Sequence, residues 1–297
     1  MPLKPGLYIV STPIGNLGDI TIRAIDTLQN SSVILCEDTR VSQKLLAKHN
    51  IKARLIAYND HSTAKQRENM AESIANGAVV SLISDAGTPL ISDPGYKLVK
   101  YLKDQRLLVE IVPGVSAPIA ALILSGLASD RFLFAGFLPK TIEAKRKIFV
   151  EMTKINATLI FFETSTRLLL SLSIAKEVFG NREACVAREL TKLYQEANTK
   201  PLADLIDHYT VKPPKGELVL LISGIESIDP VDVKYNIEKM LISYLHSGAS
   251  KKEATELTYK IYSKYCSKKE IYKMANRLNV EKLHFSKSKT KNNKLAD

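Results

Sequence analysis

Two stretches of this chain concentrate residue types that carry out chemistry. Cys36-Glu37-Asp38-Thr39-Arg40 places two carboxylates, a hydroxyl and a guanidinium at the end of a predicted strand. Neighbouring residues of a strand point to opposite faces, so one acid can face a cleft while the other caps the helix predicted over Val41–His49. A capping cluster with a solvated acid is the alternative. His61 lies in a later loop, where a structural role is the alternative to a functional one.

The second stretch runs from Leu82 to Tyr96 and contains two short acids, two glycines and two prolines within eleven residues. It follows an apolar run, Ala78–Ile83, that is typical of a buried strand. Such a composition predicts a tight loop whose backbone N–H groups face a ligand, with Asp93-Pro94 as the N-cap and first residue of a helix. An ordinary strand-to-helix loop is the alternative.

Two further loops contain glycine after a predicted strand. Ser11–Asp19 follows the first strand and lacks the G-x-G-x-x-G spacing of dinucleotide-binding loops. Pro113-Gly114-Val115-Ser116-Ala117 follows a later strand, and Gly114 would let another molecule approach the backbone.

Strands and helices alternate along the first 113 residues, which predicts an α/β lobe with a parallel sheet of about five strands. Residues 114–228 predict a second, mixed α/β lobe. We expect the ligand cleft between the two lobes, since pockets often form there. The strands of the second lobe are predicted at Phe132–Phe137, Thr158–Phe162, Ala184–Arg188 and Glu217–Ile222.

The predicted strands end before residue 229, and residues 229–285 predict a small helical domain. Ser250-Lys251-Lys252-Glu253 and Ser267-Lys268-Lys269-Glu270 are two capping boxes, each of which should begin a helix. Residues 286–297, rich in Ser, Lys and Asn, are expected to be disordered.

Charge and composition narrow the classes of function. The net charge of +11 in 297 residues suggests a polyanionic partner, and residues 229–297 hold fifteen Lys/Arg against eight Asp/Glu. A solvated basic surface is the alternative. Three scattered cysteines favour a reducing compartment without a disulfide or zinc framework. No apolar run approaches the length of a membrane span and no signal peptide is expected, so we predict a cytoplasmic protein. No cluster of metal-ligating residues is visible in the sequence, so no metal is expected.

Taken together, the loops identify a family. Ser11–Asp19, Glu37–Arg40, Ser84–Pro89 and Pro113–Ala117 closely resemble the tetrapyrrole-methylase superfamily, in particular its ribosomal RNA small subunit methyltransferase I branch. The resemblance covers about residues 6–280. It implies S-adenosylmethionine as the cofactor, the ribose 2′-oxygen of a cytidine in the decoding region of 16S rRNA as the acceptor, and a homodimer acting on the rRNA or the 30S subunit.

The resemblance also implies a cofactor site between the lobes. The methionine end should lie against Asp85–Thr88 and the adenosine near Ser116, Ala117, Phe162 and Ala187. The full set of expected contacts is Gly15, Asp85, Ala86, Gly87, Thr88, Ser92, Gly114, Val115, Ser116, Ala117, Phe162 and Ala187.

For the chemistry that this resemblance implies, a general base near the ribose hydroxyl is expected. Asp38 and Glu37 are the favoured candidates, with His61 behind them and Arg40 as a phosphate ligand. The chain departs from the family at Asp60-His61-Ser62-Thr63, where Asn-Glu often follows the histidine. It departs again at Glu163-Thr164-Ser165-Thr166-Arg167, where the family commonly has a histidine at position 166.

Two other functions fit parts of the sequence. One is a tetrapyrrole C-methyltransferase of the same fold, against which the basic C-terminal helices argue. The other is a non-catalytic RNA-binding protein of ribosome assembly, against which the intact loop motifs argue.

Overall fold

The computed structural model describes residues 3–59, 61–225, 230–263 and 265–278. The chain divides into two compact units at Ile225. The first unit contains two five-stranded sheets. The predicted tail, residues 286–297, lies outside the described residues, as does Asp60.

The first sheet is entirely parallel, in the order β3-β2-β4-β1-β5, which confirms the predicted five-stranded parallel sheet. Its strands are short and mostly apolar because both faces are covered by helices. The strands are β1 (Gly6–Val10), β2 (Val33–Cys36), β3 (Arg54–Ala57), β4 (Val79–Leu82) and β5 (Val109–Val112). The helices of this lobe are α1 (Ile22–Gln29), α2 (Thr39–Lys48), α3 (Ala64–Ala75) and α4 (Tyr96–Asp104). The next helix, α5 (Ala117–Ser125), follows β5 and packs against the second sheet.

The start of α4 differs from the prediction. Asp93-Pro94 does not cap the helix; Gly95 is the N-cap, with φ of 131° and no side-chain cap bond. A side chain at Gly95 would approach Leu82 to 2.8 Å, so the tight turn into α4 needs glycine both for its backbone angle and for space. The Asp93 carboxylate therefore does not cap α4 and belongs to the preceding loop.

The second sheet is mixed, in the order β6-β7-β10-β8-β9, which confirms the predicted mixed lobe. Only β6 and β7 pair in parallel; the other pairs are antiparallel. The strands are β6 (Phe132–Phe137), β7 (Thr158–Thr164), β8 (Glu183–Arg188), β9 (Glu196–Pro201) and β10 (Glu217–Ile222). The helices are α6 (Ile142–Met152), α7 (Leu168–Phe179) and α8 (Leu202–Val211).

Strand β9 was missed by the sequence analysis. Its sequence, Glu-Ala-Asn-Thr-Lys-Pro, has neither an apolar run nor β-branched alternation. It pairs with β8 alone and lies at the edge of the sheet, where polar residues and a terminal proline are tolerated.

The second unit contains α9 (Pro230–His246), α10 (Lys251–Tyr262) and α11 (Lys268–Arg277). Both predicted capping boxes are present, at Ser250/Glu253 and at Ser267/Glu270. Ile237, Leu241, Ala254, Ile271 and Ala275 form its small apolar core. Across the described ranges, no helix combines the length and the apolar character needed to cross a membrane.

Candidate active site

Three loops at the carboxyl edge of the parallel sheet are joined by hydrogen bonds. Thr12 and Gly87 exchange two backbone hydrogen bonds, of 2.8 and 3.0 Å. Ser11 Oγ lies 2.9 Å from Thr88 Oγ1, and the Thr88 hydroxyl donates to the Val115 carbonyl at 3.0 Å. The loops after β1, β4 and β5 therefore form one connected platform, although the bonded residues lie 77 and 27 positions apart in the chain.

The loop after β4 has a strained backbone. Leu90 and Ser92 have φ of 73° and 68°, a region that residues other than glycine rarely adopt. Gly87 and Gly95 also have positive φ, of 82° and 131°. Such angles cost free energy and persist where the surroundings enforce them, which is common in ligand-binding loops.

Gly114 packs on another loop of the platform. A Cβ at this position would lie 2.9 Å from the Cβ of Ser11. The glycine that was expected to let a ligand approach the backbone thus allows close contact between the loops after β1 and β5.

This contact gives a first prediction. Gly114→Ala should lower the free energy of unfolding by about 1–3 kcal/mol, because the new methyl group overpacks the platform. Ser11→Gly removes the opposing Cβ, so the double variant should recover part of that loss in a thermal-unfolding double-mutant cycle. Additive effects of the two changes would show that the contact does not explain the glycine.

Beside the platform lies a cavity of about 360 Å³, within the range of small-molecule pockets. Both lobes of the first unit contribute to its walls. The lining residues are Ile14, Asp85, Ala86, Gly87, Thr88, Ile91, Ser92, Asp93, Ser116, Ala117, Pro118, Phe137, Phe162, Glu163, Thr164, Ser165, Leu190, Gly216, Glu217, Leu218 and Val219. Most of this wall is apolar or backbone, with acids at a few points.

The charged groups of the lining are all acids: Asp85, Asp93, Glu163 and Glu217. Two of the four have cationic partners outside the lining. Glu163 pairs with Lys145 and Arg167, and Glu217 pairs with Lys192 at 3.0 Å. Asp85 accepts a hydrogen bond from the Asp38 backbone N–H at 3.1 Å, but no ion pair of either Asp85 or Asp93 occurs in the described part of the chain. The cavity is therefore suited to a ligand that carries positive charge.

Asp93 is held in an environment that favours its neutral form. Burial raises the pKa of its carboxyl; a hydrogen bond with Ser84 opposes this, and the nearby charge of Asp85 adds to it. A cation bound between the two carboxylates would relieve both the burial and the repulsion.

The acid–arginine cluster lies outside the cavity lining. The Asp38 carboxylate caps α2 and binds the Arg40 side chain at 2.6 Å. These contacts with Arg40 lower the pKa of Asp38 to about 2. Glu37 and His61 are exposed. The Asp38 N–H bond to Asp85 is what connects this cluster to the cavity.

Of the expected cofactor contacts, eight line the cavity: Asp85, Ala86, Gly87, Thr88, Ser92, Ser116, Ala117 and Phe162. Gly15, Gly114, Val115 and Ala187 do not. Gly15 lies beneath the side chain of Lys192, and Val115 contributes its carbonyl to Thr88. Ala187 is fully buried in the second sheet, where it pairs with Val219 of the cavity wall.

The sequence analysis missed several residues of the lining. Asp93 was interpreted as a helix cap, and Leu190, Glu217 and Val219 belong to second-lobe segments without a recognisable motif. The turn Lys212–Gly216 before β10 is the sequence feature that could have pointed to this part of the lining. Its last residue, Gly216, lines the cavity and has a positive φ of 87°. Among the described residues, no group of three or more His, Cys, Asp or Glu side chains could hold a metal ion.

Residues 6–206 match the family model of tetrapyrrole (corrin/porphyrin) methylases. A ribosomal RNA small subunit methyltransferase I of Rickettsia prowazekii is 58% identical over 93% of this chain and 98% of its own length. The protein of the same name from Mesorhizobium japonicum is 44% identical over 86% and 87%.

Solved structures show the same fold at low identity. A cobalt precorrin-4 methyltransferase of cobalamin biosynthesis superposes with a TM-score of 0.54 at 20% identity, over 74% of this chain and 95% of its own. A uroporphyrin-III C-methyltransferase from Thermus thermophilus gives 0.52 at 17% identity, over 75% and 96%.

Proposed function

The chain belongs to the tetrapyrrole methylases and, within them, to the ribosomal RNA small subunit methyltransferase I family, and we propose on this basis that it methylates the ribose 2′-oxygen of a cytidine in the decoding region of 16S rRNA. S-adenosylmethionine is the proposed methyl donor. The identity of 58% over nearly the whole chain carries the proposal, because it includes the C-terminal helices that lie beyond the family model.

The acid-lined cavity fits this cofactor. S-adenosylmethionine has a sulfonium and an ammonium group, and Asp85 and Asp93 would face that positive charge. Its carboxylate would find the backbone N–H groups of Ala86 and Thr88 and those at the start of α5, where the helix dipole favours an anion. The apolar wall around Phe162 and Val219 would cover the adenosine.

A dependence on pH follows from Asp93. Its ionised form attracts the cation, so affinity for S-adenosylmethionine should fall as the pH drops through the raised pKa, at a pH above the ordinary value of 3.8. Calorimetric titrations across the acidic range should show this fall in the parent and a flatter curve in Asp93→Asn. Identical curves would exclude Asp93 from the site.

The bound cofactor would supply an activated methyl group, so the protein contributes mainly position. It must also remove the ribose proton, and a base works best with a pKa near the working pH. Asp38 does not meet this condition while Arg40 binds it. Transfer of Arg40 to an RNA phosphate would raise the pKa of Asp38 and prepare it as the base, with Glu37 and His61 as the other candidates.

The second unit is the proposed contact with the RNA backbone. Tyr244, Tyr259 and Tyr262 pack against its core, whereas Tyr235, Tyr265 and Tyr272 are about half exposed or more. The same unit has exposed lysines on α10 and α11. Lysines that neutralise phosphates and exposed rings that stack on bases are typical of RNA-binding surfaces.

Salt dependence separates this role from a merely solvated surface. The triple variant Lys252→Gln/Lys269→Gln/Lys273→Gln should bind 16S rRNA more weakly and flatten the plot of log affinity against log salt by about 2, since each neutralised phosphate contributes about 0.7. The matched control removes three exposed lysines of α4, Lys97, Lys100 and Lys103. Equal slopes in both triple variants would overturn the assignment.

The function itself is tested by mapping methyl groups. The full chain, labelled S-adenosylmethionine and either naked 16S rRNA or 30S subunits from a strain that lacks the gene should give one 2′-O-methylcytidine in the decoding region. Methylation of uroporphyrinogen instead, or of no RNA, would contradict the proposal.

We also propose that the protein is a cytoplasmic homodimer. The exposed Ile119, Ile123 and Leu124 of α5 are a candidate contact between the two subunits. Analytical ultracentrifugation, which measures the mass in solution, tests this oligomeric state.

A further inference from the structure

Two large apolar side chains border the cavity and yet remain exposed. Phe137 is 57% exposed and Ile91 is 43% exposed, although both belong to the lining. The large aliphatic residues of the inner wall are less than a tenth exposed; they are Ile14, Leu190, Leu218 and Val219. Phe137 and Ile91 therefore lie where the cavity opens to solvent, which we call its mouth.

A β-bulge turns Phe137 toward this mouth. Phe134 of β6 pairs with Ile160, and Phe137 pairs with Phe162, so β6 contains one residue more than β7 over this stretch. Such an extra residue bends a strand and changes the face to which the next side chains point. Phe137 thus lies on the same face as Phe134, where regular alternation would put it on the opposite face. Gly136 in the bulge has φ of 71°.

The exposed ring of Phe137 is held by packing. The Phe162 ring lies between two others, with its centroid 4.9 Å from that of Phe134 and 5.1 Å from that of Phe137. The next residue, Leu138, is 2% exposed, and its N–H donates to the Phe162 carbonyl at 3.1 Å. Because its surroundings fix the ring, Phe137 would lose little conformational freedom when it binds another molecule.

A cation follows this ring by three residues. Lys140 is exposed, and no ion pair of Lys140 occurs among the residues that the structure describes, whereas Lys145 pairs with Glu163 and Arg146 pairs with Glu177. Three residues of backbone span at most about 11 Å, so an ammonium group and an exposed ring lie within the dimensions of one or two nucleotides. Rings that stack on bases beside cations that hold phosphates are typical of single-stranded nucleic-acid binding.

The direction from which an acceptor must arrive selects the ligand. The acids and the inner apolar wall are assigned to S-adenosylmethionine, so the ribose that receives the methyl group has to approach through the mouth. We propose that Phe137 stacks on the base of the target nucleotide outside the cavity and that Lys140 contacts a neighbouring phosphate. This inference rests on the proposed function and adds residues that position its RNA substrate.

Phe137→Ala should lower kcat/KM for the rRNA substrate about tenfold, the effect of removing one ring that stacks on a base. Phe137→Leu should be similarly impaired, because leucine retains apolar area but has no aromatic face. Calorimetry should give parental affinity for S-adenosylmethionine in both variants. The matched control is Phe132→Ala, since Phe132 is 44% exposed at the start of β6 and lies outside the lining.

Fluorescence reports the stacking directly. The chain contains no tryptophan, so Phe137→Trp introduces a single indole fluorophore. With S-adenosylmethionine already bound, 16S rRNA should quench this fluorescence, because a stacked base quenches indole emission. The emission of Phe132→Trp should not change under the same conditions.

Salt dependence tests the cation. Lys140→Gln should flatten the plot of log affinity for 16S rRNA against log salt by about 0.7, the contribution of one neutralised phosphate on a single strand. Lys147→Gln, which removes an exposed lysine of α6, is the control. An unchanged slope in Lys140→Gln would overturn the phosphate contact.

Other results would overturn the role of Phe137. A loss of S-adenosylmethionine affinity as large as the loss of kcat/KM would make Phe137 part of the cofactor wall, and a changed mass in ultracentrifugation would make it a contact between subunits. Parental kcat/KM in Phe137→Ala would exclude stacking. Failure of the proposed function would appear differently, as absence of methylated rRNA with the parent protein, and would overturn this inference with it.

Discussion

Replacing Lys145 by methionine will destabilise the first unit by about 3–5 kcal/mol, the usual effect of removing one partner from a buried ion pair. The side chains of Lys145 and Glu163 are fully buried and form an ion pair. Ser171 bonds to both of them, and Arg167 Nη2 reaches the other Glu163 oxygen at 2.8 Å. Methionine fills a similar volume, so the loss measures the buried charge of Glu163 that only Arg167 then compensates, and not a large void.

Chemical denaturation measures this effect, and the same helix offers a control. Lys147 is exposed on α6, so Lys147→Met should change the free energy of unfolding by no more than about 0.5 kcal/mol. Because Glu163 also lines the cavity, cofactor affinity should fall in Lys145→Met even where the protein stays folded. Similar stabilities of the two variants would show that Lys145 is not needed to compensate the buried carboxylate.

Asp85→Asn should weaken S-adenosylmethionine binding by roughly 10- to 100-fold, the range for a hydrogen bond to a charged group. Asp85 lines the cavity at the end of the loop platform, and asparagine retains an oxygen that can accept the Asp38 N–H bond. The change therefore removes the negative charge and leaves the local bonding in place. Affinity for 16S rRNA should change much less.

Calorimetry of S-adenosylmethionine binding tests this, with Asp38→Asn as the matched control. Asp38 lies one hydrogen bond from Asp85 but outside the cavity lining, and asparagine caps a helix about as well as aspartate does. Cofactor affinity should thus survive in Asp38→Asn. Equal losses in both variants would mean that the acidic edge acts as a whole, and parental affinity in Asp85→Asn would exclude the proposed placement of the cofactor.

The elements of this fold were largely predictable because the signals for them are local. Apolar runs mark β1, β4 and β10, and the Ser-x-x-Glu boxes mark the starts of α10 and α11 within one residue. Since the strands of the first sheet are parallel, the loops that follow them had to meet at one edge. The sequence by itself therefore determined both the sheet class and the region of the cavity.

The tertiary structure decided which side chains face that cavity and what charge they carry. The sequence predicted Asp93 as a helix cap, whereas in the structure Gly95, with its positive φ, is the N-cap of α4. The polar strand β9, which completes the second sheet, has no periodicity from which it could be predicted.

Contacts between residues that are distant in the chain account for the other features that the sequence did not predict. Lys145 and Glu163 are eighteen residues apart, and the burial that makes their pairing important is a property of the packed lobe. The hydrogen bonds of Thr88 with Ser11 and Val115 likewise join three loops that only folding brings together. Periodicity and capping act over a few residues, whereas burial and electrostatic environment depend on elements that are distant in the chain.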